Sequence, residues 1–559
     1  MVRDEDPKKY HNRRLAELRI MRTPWEGQWR EIADNIAPNR LRLQAEDNKG
    51  RQDRSKIVDS TASQALRTLA SGMHSGITSP SRPWFRLTTF DPDLREFSPV
   101  KRYLSKAEQM MRETFQASNL YRAFHLGYGD IGAFGQSASI LVRDEANFIR
   151  MLPLVHGSFW IGRDETGTAT TLYRHLYWST ENIVGKFGLD NCSTTIKNCY
   201  SRGDYSAKHT IYHAIEPRKY RQMGKIDKAN KPYSSCYWEE GGGTQMMLEV
   251  SGFDRNPIIS PLWEAIADDD YGVSPGMDVL PDVKMLMKGQ IRKGEAIDKK
   301  VRPAMVGPVS MKNQPVSTMP GSVSYVDDPT GKMYRPAMDL NISISELRED
   351  IGDTQSRIER GFFADLFLML SQMDGVQPRN SFEIAERKEE KLLALGPVLE
   401  NIYGSQLAPV IDQTFAMMAE AGKFGEPPIE LEEQKLKIEY VSMLAQAQKA
   451  IGTGAIERVF SFAGNIAGVK PDIMDKLDAD QALDEYAEMV GAPPSVVVPD
   501  DKVKKLRDDR AKQMQQQQMA EQAPGLATAA NQGAQAAEVL SNMPNGGTGA
   551  ALLSSIGLN

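Results

Sequence analysis

The chain has 559 residues, enough for a large apolar core divided among several subdomains. Its 40% apolar and 25% charged residues exclude wholesale disorder, and its net charge of −6 excludes a protein that coats nucleic acid through a strongly basic surface. Residues 8–36 read as helical, with Leu15, Leu18, Ile32 and Ile36 as apolar points and a break at Thr23-Pro24. Trp25 and Trp29, four apart, share a face that packs on the core or meets a neighbouring subunit. Arg40 to Lys56 is so charged that it reads as a solvated loop. Thr61 to Gly72 is a small-residue helix, punctuated by Gly72 and Gly76. Ser79-Pro-Ser-Arg-Pro-Trp-Phe-Arg-Leu87 runs extended into a strand. Pro99 to Leu126 reads as one amphipathic helix, with Tyr103, Ala107, Met110, Met111, Thr114 and Phe115 spaced for burial.

From Ser137 to Pro261 the period shortens to that of strands: Ala138–Val142, Phe148–Leu154, Thr168–Tyr177, His209–Ile215, Gln245–Val250 and Pro257–Trp263. Turn glycines such as Gly167, Gly203 and Gly241 separate them, so an α+β body lies between helical parts. A long helix follows, roughly Met277 to Lys300, with Leu280, Met287 and Ile291 gathered on one face and Lys284, Lys288, Arg292, Glu295 and Lys299 on another. Pro281 is tolerable only near its first turn. Pro303, Pro308, Pro315, Pro320, Pro329 and Pro336 then forbid helix and leave short strand-like pieces such as Val323 to Val326.

Helical spacing resumes near Ser345 with Leu347, Ile351, Thr354, Ile358 and Phe362, and ends in the polar loop 371–380. Asn380, with Glu383 three residues on, opens a third helix that should kink at Gly396-Pro397. Glu426-Pro-Pro428 marks a boundary, residues 440–490 supply two or three further helices, and from Ala511 onward charge gives way to a Gln-, Ala- and Gly-rich flexible tail.

Chemical motifs are weak. Gly127-Tyr-Gly-Asp-Ile-Gly132 fits G-x-G-x-x-G, but a helix precedes it and a strand follows, the reverse of a dinucleotide site, so it reads as a tight turn and close packing. No G-x-x-x-x-G-K-[S/T] occurs, which excludes a P-loop ATPase of the usual form. His209 and His213 sit four apart on a strand, about 13 Å from one another and too far to share an ion; they read as surface histidines. Asp268-Asp-Asp270 reads as a solvated acidic turn. Cys192, Cys199 and Cys236 include no C-x-x-C pair, so a reducing compartment is expected. There is no apolar N-terminal signal and no run near the roughly 18 apolar residues of a membrane span. No catalytic constellation, cofactor site or metal site emerges.

An antiparallel pair of long helices joined by a β-like tip resembles the stem and clip of viral portal proteins. The order Arg13-Arg-Leu-Ala-Glu-Leu18, Ile57-Val-Asp-Ser-Thr-Ala-Ser63, Leu69-Ala-Ser-Gly-Met-His-Ser-Gly76, Ser79 to Phe85, Gly132-Ala-Phe-Gly135, Ala385-Glu-Arg387 and Leu395-Gly-Pro397 is similar to the head-to-tail connector (portal) proteins of short-tailed bacteriophages. The resemblance implies an α+β portal fold. Residues 1–136 would be the helical part of the wing, 137–275 its α+β body, 276–300 and 344–370 the stem helices, and 301–343 the β-containing clip. A tunnel loop at 371–380, a kinked channel helix at 381–422, a helical crown at 423–510 and a flexible tail at 511–559 would complete it.

It further implies a dodecameric ring at one capsid vertex of the virion, assembled in the host cytoplasm. Double-stranded DNA would pass through it. Its partners would be a terminase packaging motor, tail adaptor or nozzle proteins, and the major capsid and scaffolding proteins, with no membrane. Lys284, Lys288, Arg292 and Lys299 would face DNA phosphates, the acidic face of a neighbouring helix, or solvent alone. Gln372, Arg379 and Asn380 in the tunnel loop would meet DNA or a neighbouring subunit, or, for Arg379 and Asn380, serve only as loop and cap residues. Lys300, Arg302, Lys312, Lys332 and Arg335 would make clip contacts. The alternatives are another virion protein, an internal ejection protein or tail adaptor, and, from a different class, a nucleotide- or metal-dependent enzyme acting on DNA.

Overall fold

The computed structural model describes residues 6–44, 56–91, 94–95, 97–222, 224–225, 227–241, 247–266, 269–301, 305–306, 335–336, 343–371, 395–431, 436–441, 459–466, 476–490, 498 and 503–514. The chain forms two units, residues 1–455 and 456–559.

Helix α1 (Pro7–Asn35) opens at Asp6, whose carboxylate accepts from the Lys8 N–H, with Pro7 where a missing N–H is harmless. It runs unbroken through Pro24, contrary to the expected break. Anchors on both sides of the proline outweigh the lost bond. Arg22 donates to the carbonyls of Gly157 and Phe159, both at 2.7 Å, and Trp29 is fully buried against Tyr271. α2 (Thr61–Ile77) and β1 (Phe85–Thr89) follow.

The single helix expected over Pro99 to Leu126 is two, α3 (Ser98–Ala117) and α4 (Leu120–Phe134). Asn119 breaks it by exchanging two hydrogen bonds with the Met151 backbone, at 2.7 and 3.0 Å, while the Ser118 hydroxyl donates to the Phe115 carbonyl. Gly127, Gly129 and Gly132 therefore lie inside a helix rather than in a tight turn.

The α+β body holds two antiparallel sheets. β2 (Ser139–Asp144) lies between β3 (Phe148–Pro153) and β9 (Ile258–Ile259). A five-stranded meander runs in order through β4 (Phe159–Arg163), β5 (Ala169–Ser179), β6 (Lys208–Pro217), β7 (Tyr233–Glu239) and β8 (Glu249–Phe253). Helices α5 (Thr180–Phe187) and α6 (Thr194–Ser201) fill the β5–β6 connection. The strand expected at Pro257–Trp263 shrinks to two residues, because Pro257 and Pro261 bracket it without N–H donors.

Alternation along β5 decides the layers. Leu172 faces Ile140, Leu154 and Ile258 between the two sheets, while Tyr173 faces Leu15 and Leu18 of α1 with Trp160 and Trp238. The largest core joins α1, α2, α3 and α4 to the helices that follow.

Those helices are α7 (Pro275–Val301), α8 (Ile344–Gly361) and α9 (Ala364–Ser371), with the two-residue ladder of β10 (Met305–Val306) and β11 (Arg335–Pro336) between the first two. Where one helix was expected over 344–370, the chain turns at Phe363, whose φ of 55° is left-handed. The turn allows Phe362 and Phe367 both to reach the core, Phe367 against the bare Cα of Gly72.

Pro397 stands in the first turn of α10 (Gly396–Ile402), and the stretch ahead of Leu395, on which the expected kink depends, lies outside the described residues. The distortion comes at Tyr403–Leu407, a π-helical turn that leads into α11 (Ala408–Glu420) just ahead of Pro409. β12 (Leu436–Tyr440) then pairs antiparallel with β1, Phe85 opposite Tyr440. In the second unit, α12 (Ala479–Val490) is tied by Asp480, which accepts from both guanidinium nitrogens of Arg507 at 2.6 and 2.8 Å. Arg507 lies in a helical segment, 503–514.

Candidate functional site

The feature that the topology singles out is the antiparallel pair α7 and α8. Gly361 lies so close to Val279 that a Cβ there would meet a Val279 methyl at 2.2 Å, and Gly289 faces Ile351. Between them Arg357 reaches Asp282 at 3.3 Å. The pair is rooted by Ser274, whose hydroxyl donates to the Ala133 carbonyl at 2.8 Å and accepts the Met277 N–H. Gly276 fits against the same carbonyl only because it lacks a side chain; a Cβ would sit 2.5 Å away.

A single carboxylate ties both helices to α2. Asp59 Oδ1 accepts from the backbone and hydroxyl of Thr61 at 2.8 and 2.5 Å, and Oδ2 accepts from Gln290 of α7 and Gln355 of α8 at 2.7 and 2.9 Å. Partial burial pushes this carboxyl upward, but the hydrogen bonds from Thr61, Gln290 and Gln355 outweigh that and hold its pKa below the ordinary value of 3.8. Sequence reading passed over Asp59, although it sits inside the Ile57 to Ser63 run that carried the resemblance. An acid two residues ahead of a helix, followed by Thr, was the available signal.

The expected basic stripe divides. Lys284 is bound to Glu31 of α1 at 2.6 Å, so it braces α7. Lys288 and Arg292 are exposed and carry no ion pair among the described residues. Lys299 and Lys300 stand exposed in the last turn, where they complement the helix dipole. Arg335 lies in the short ladder opposite Val306, its side chain outside the described residues. Gln372, Arg379, Asn380, Arg302, Lys312 and Lys332 lie outside the described residues too, as do Val323 to Val326 and Glu383.

The G-x-G-x-x-G stretch has a packing explanation. A Cβ at Gly127 would press on Ser137 at 3.2 Å, one at Gly129 on the Arg40 guanidinium at 2.5 Å, and one at Gly132 on Leu69 at 2.6 Å. Arg40, expected in a solvated loop, bonds Asp130 of α4 at 2.7 Å and the Leu126 carbonyl at 3.0 Å. Burial pushes the Asp130 carboxyl up to about 6, against the pull of Arg40. A carboxyl raised in this way favours folding fully below its ordinary value of 3.8 and loses that contribution as pH rises through about 6. Arg40→Ala leaves the carboxylate without its counter-ion. It is expected to destabilise by about 2 kcal/mol at pH 8 and clearly less at pH 5, read from urea midpoints. Equal shifts at both pH values would contradict the pairing.

His213 is not a surface histidine. It is buried on β6, accepts from Arg174 Nε at 3.0 Å, lies 3.0 Å from the Ser235 hydroxyl, and stacks on Tyr237. Burial, with Arg174 and Lys186 nearby, pushes its pKa well below the ordinary value, so it is a neutral core group. His209 meets the Thr180 hydroxyl at 3.0 Å. Asp270 is less solvated than expected, since it accepts the Arg163 N–H at 2.8 Å; Asp269 is exposed, and Asp268 lies outside the described residues. No helix among the described residues is long and apolar enough to cross a membrane.

Residues 8–498 match the family described as "Bacteriophage head to tail connecting protein". The chain is 42% identical over 525 residues to the "Portal protein" of Salmonella phage epsilon15, covering 93% of this chain and 94% of that one. It is also 42% identical over 534 residues to the "Probable portal protein" of Bordetella phage BPP-1, covering 95% and 94%. Among solved structures it is similar to a chain of the "Neck of empty GTA particle computed with C6 symmetry", with 11% identity, a TM-score of 0.36 and coverage of 82% and 98%. A chain of the "Virion of native gene transfer agent (GTA) particle" matches at 12% identity and a TM-score of 0.31, covering 84% and 99%.

Proposed function

The chain belongs to the bacteriophage head to tail connecting proteins, and on that premise we propose that it is the portal subunit of its virion. Copies form a ring at one capsid vertex, the genome enters and leaves through the central channel, and the tail attaches below. We propose a ring of twelve, with the terminase motor docking during packaging and tail adaptor or nozzle proteins afterwards. Capsid and scaffolding proteins would surround it. The work is mechanical and electrostatic, and the ATP that drives packaging is hydrolysed by another chain.

The observation that carries the reading is the rooted pair α7 and α8. A helix of 27 residues is about 40 Å long, enough to wall a channel, and its base is fixed by Asp59, Ser274 and Lys284 rather than left to swing. We assign residues 301–343 to the tail-side tip and 371–380 to the narrowing of the bore. A negative net charge suits a conduit, because tight phosphate contacts would hold the strand still.

The test is location. Antibody–gold labelling of virions that carry a tagged copy is expected to mark one vertex, at the tail. Label spread over the capsid surface, or exposed only when the head is opened, would point to another virion protein and reject this reading.

A further inference from the structure

α8 carries a charge pattern that complements the part of α7 with no ion pair among the described residues. Glu346, Glu349, Asp350 and Asp353 recur at intervals of three, one and three, so they share one face, beside the buried stripe of Ile351, Thr354 and Ile358, with Arg357 on the same face one turn beyond Asp353. All four are exposed, and none has an ion-pair partner among the described residues. On α7, Lys288 and Arg292 are likewise exposed one turn apart, with Met285 43% exposed on the same side and Glu295, one turn further on, exposed on the same face. The two stripes do not face each other within the chain, since the contact between the helices runs through Gly289, Ile351 and the Asp282–Arg357 pair. Each helix pair thus presents a basic edge and an acidic edge.

The edges also lie at one height. Gly289 packs on Ile351, so Lys288 and Arg292 stand level with the first half of α8, where the four acids are. Rotation about an axis running along the pair preserves height, so it brings the basic edge of one copy to the acidic edge of the next. A head-to-tail ring needs such an interface, made of two different faces of the same chain.

We propose that Lys288 and Arg292 of α7 bind the Glu346, Glu349, Asp350 and Asp353 face of α8 in the adjacent copy, and so set the registry of the ring. The assignment rests on the portal reading and directs this part of the stripe to a second copy of the chain rather than to DNA. Several exposed pairs repeated around a closed ring act together, where one alone would contribute little.

The experiment is charge reversal in the full-length chain, with ring formation read by native mass spectrometry and sedimentation at low and high salt. Lys288→Glu with Arg292→Glu is expected to raise the concentration for half-assembly about tenfold or more. Glu349→Lys with Asp353→Lys is expected to do the same. The four substitutions together are expected to restore assembly, which a merely misfolded variant would not do. Undiminished rings from either double variant, or no recovery in the quadruple, would overturn the proposal. Intact rings that fail only in DNA packaging would also overturn it and assign the stripe to phosphate. If the unaltered chain forms no rings, the portal reading itself fails, an outcome distinct from the others.

Discussion

Replacing Gly135 with alanine is expected to destabilise the first unit by about 3 kcal/mol, with a lower urea midpoint and less soluble protein. Gly135 ends α4 with φ at 81°, its N–H on the Ile131 carbonyl at 2.9 Å. Left-handed backbone disfavours any L side chain by roughly 1–2 kcal/mol. The larger part comes from space, since a Cβ would lie 2.1 Å from the carbonyl oxygen of Gly272 and 2.6 Å from its carbon. Both are backbone atoms just ahead of α7, and they cannot swing aside as a long side chain would. Gly167 is the control. Its φ is 76° but nothing lies within 4 Å of its would-be Cβ, so Gly167→Ala should show only the strain of about 1 kcal/mol. Equal midpoints for the two variants would remove the argument from close approach.

The second large effect is expected at Asp59. Alanine there removes the acceptor shared by Thr61, Gln290 and Gln355, and with it the tie from α2 to both α7 and α8. Hydrogen bonds to a charged acceptor are worth about 1.5–3 kcal/mol each when buried; partial exposure lowers the sum, so about 3 kcal/mol in total is expected. The sign with pH follows from a carboxyl held below its ordinary value. Its contribution is complete above the unfolded value of 3.8 and fades as pH falls through the lower folded one. Asp59→Asn keeps an acceptor but no charge, so its deficit against the wild type should be steady at neutral pH and shrink below about pH 4. A deficit that grows toward acid would contradict the assignment. Ring yield should fall in Asp59→Ala even where the monomer stays folded, because the helix pair is no longer held in place.

What the sequence showed best was periodicity long enough to outvote local detail. The helix near Met277 to Lys300, the one resuming near Ser345 and the runs that became β2, β3, β5 and β6 were legible, because their apolar spacing matches the faces they bury. Misses came where a distant contact overrode a local rule. Pro24 does not break α1, since Arg22 and Trp29 hold it on either side. Asn119 does break a helix whose pattern runs on, because the Met151 backbone takes its side chain. β12 could have been found, as Leu436, Ile438 and Tyr440 alternate with charged residues, but its partner β1 is far away in the chain. For the site, the basic residues were visible and their division was not. Only the fold shows that Lys284 is taken by Glu31 while Lys288 and Arg292 have no ion pair among the described residues, and that the acids of α8 lie level with them.

The central claim, that copies of this chain close into a channel, is tested most directly by electron microscopy of the purified full-length protein with two-dimensional averaging. The account predicts rings of high rotational symmetry with a central hole wide enough for duplex DNA. Monomers or compact dimers at micromolar concentration and moderate salt would contradict it.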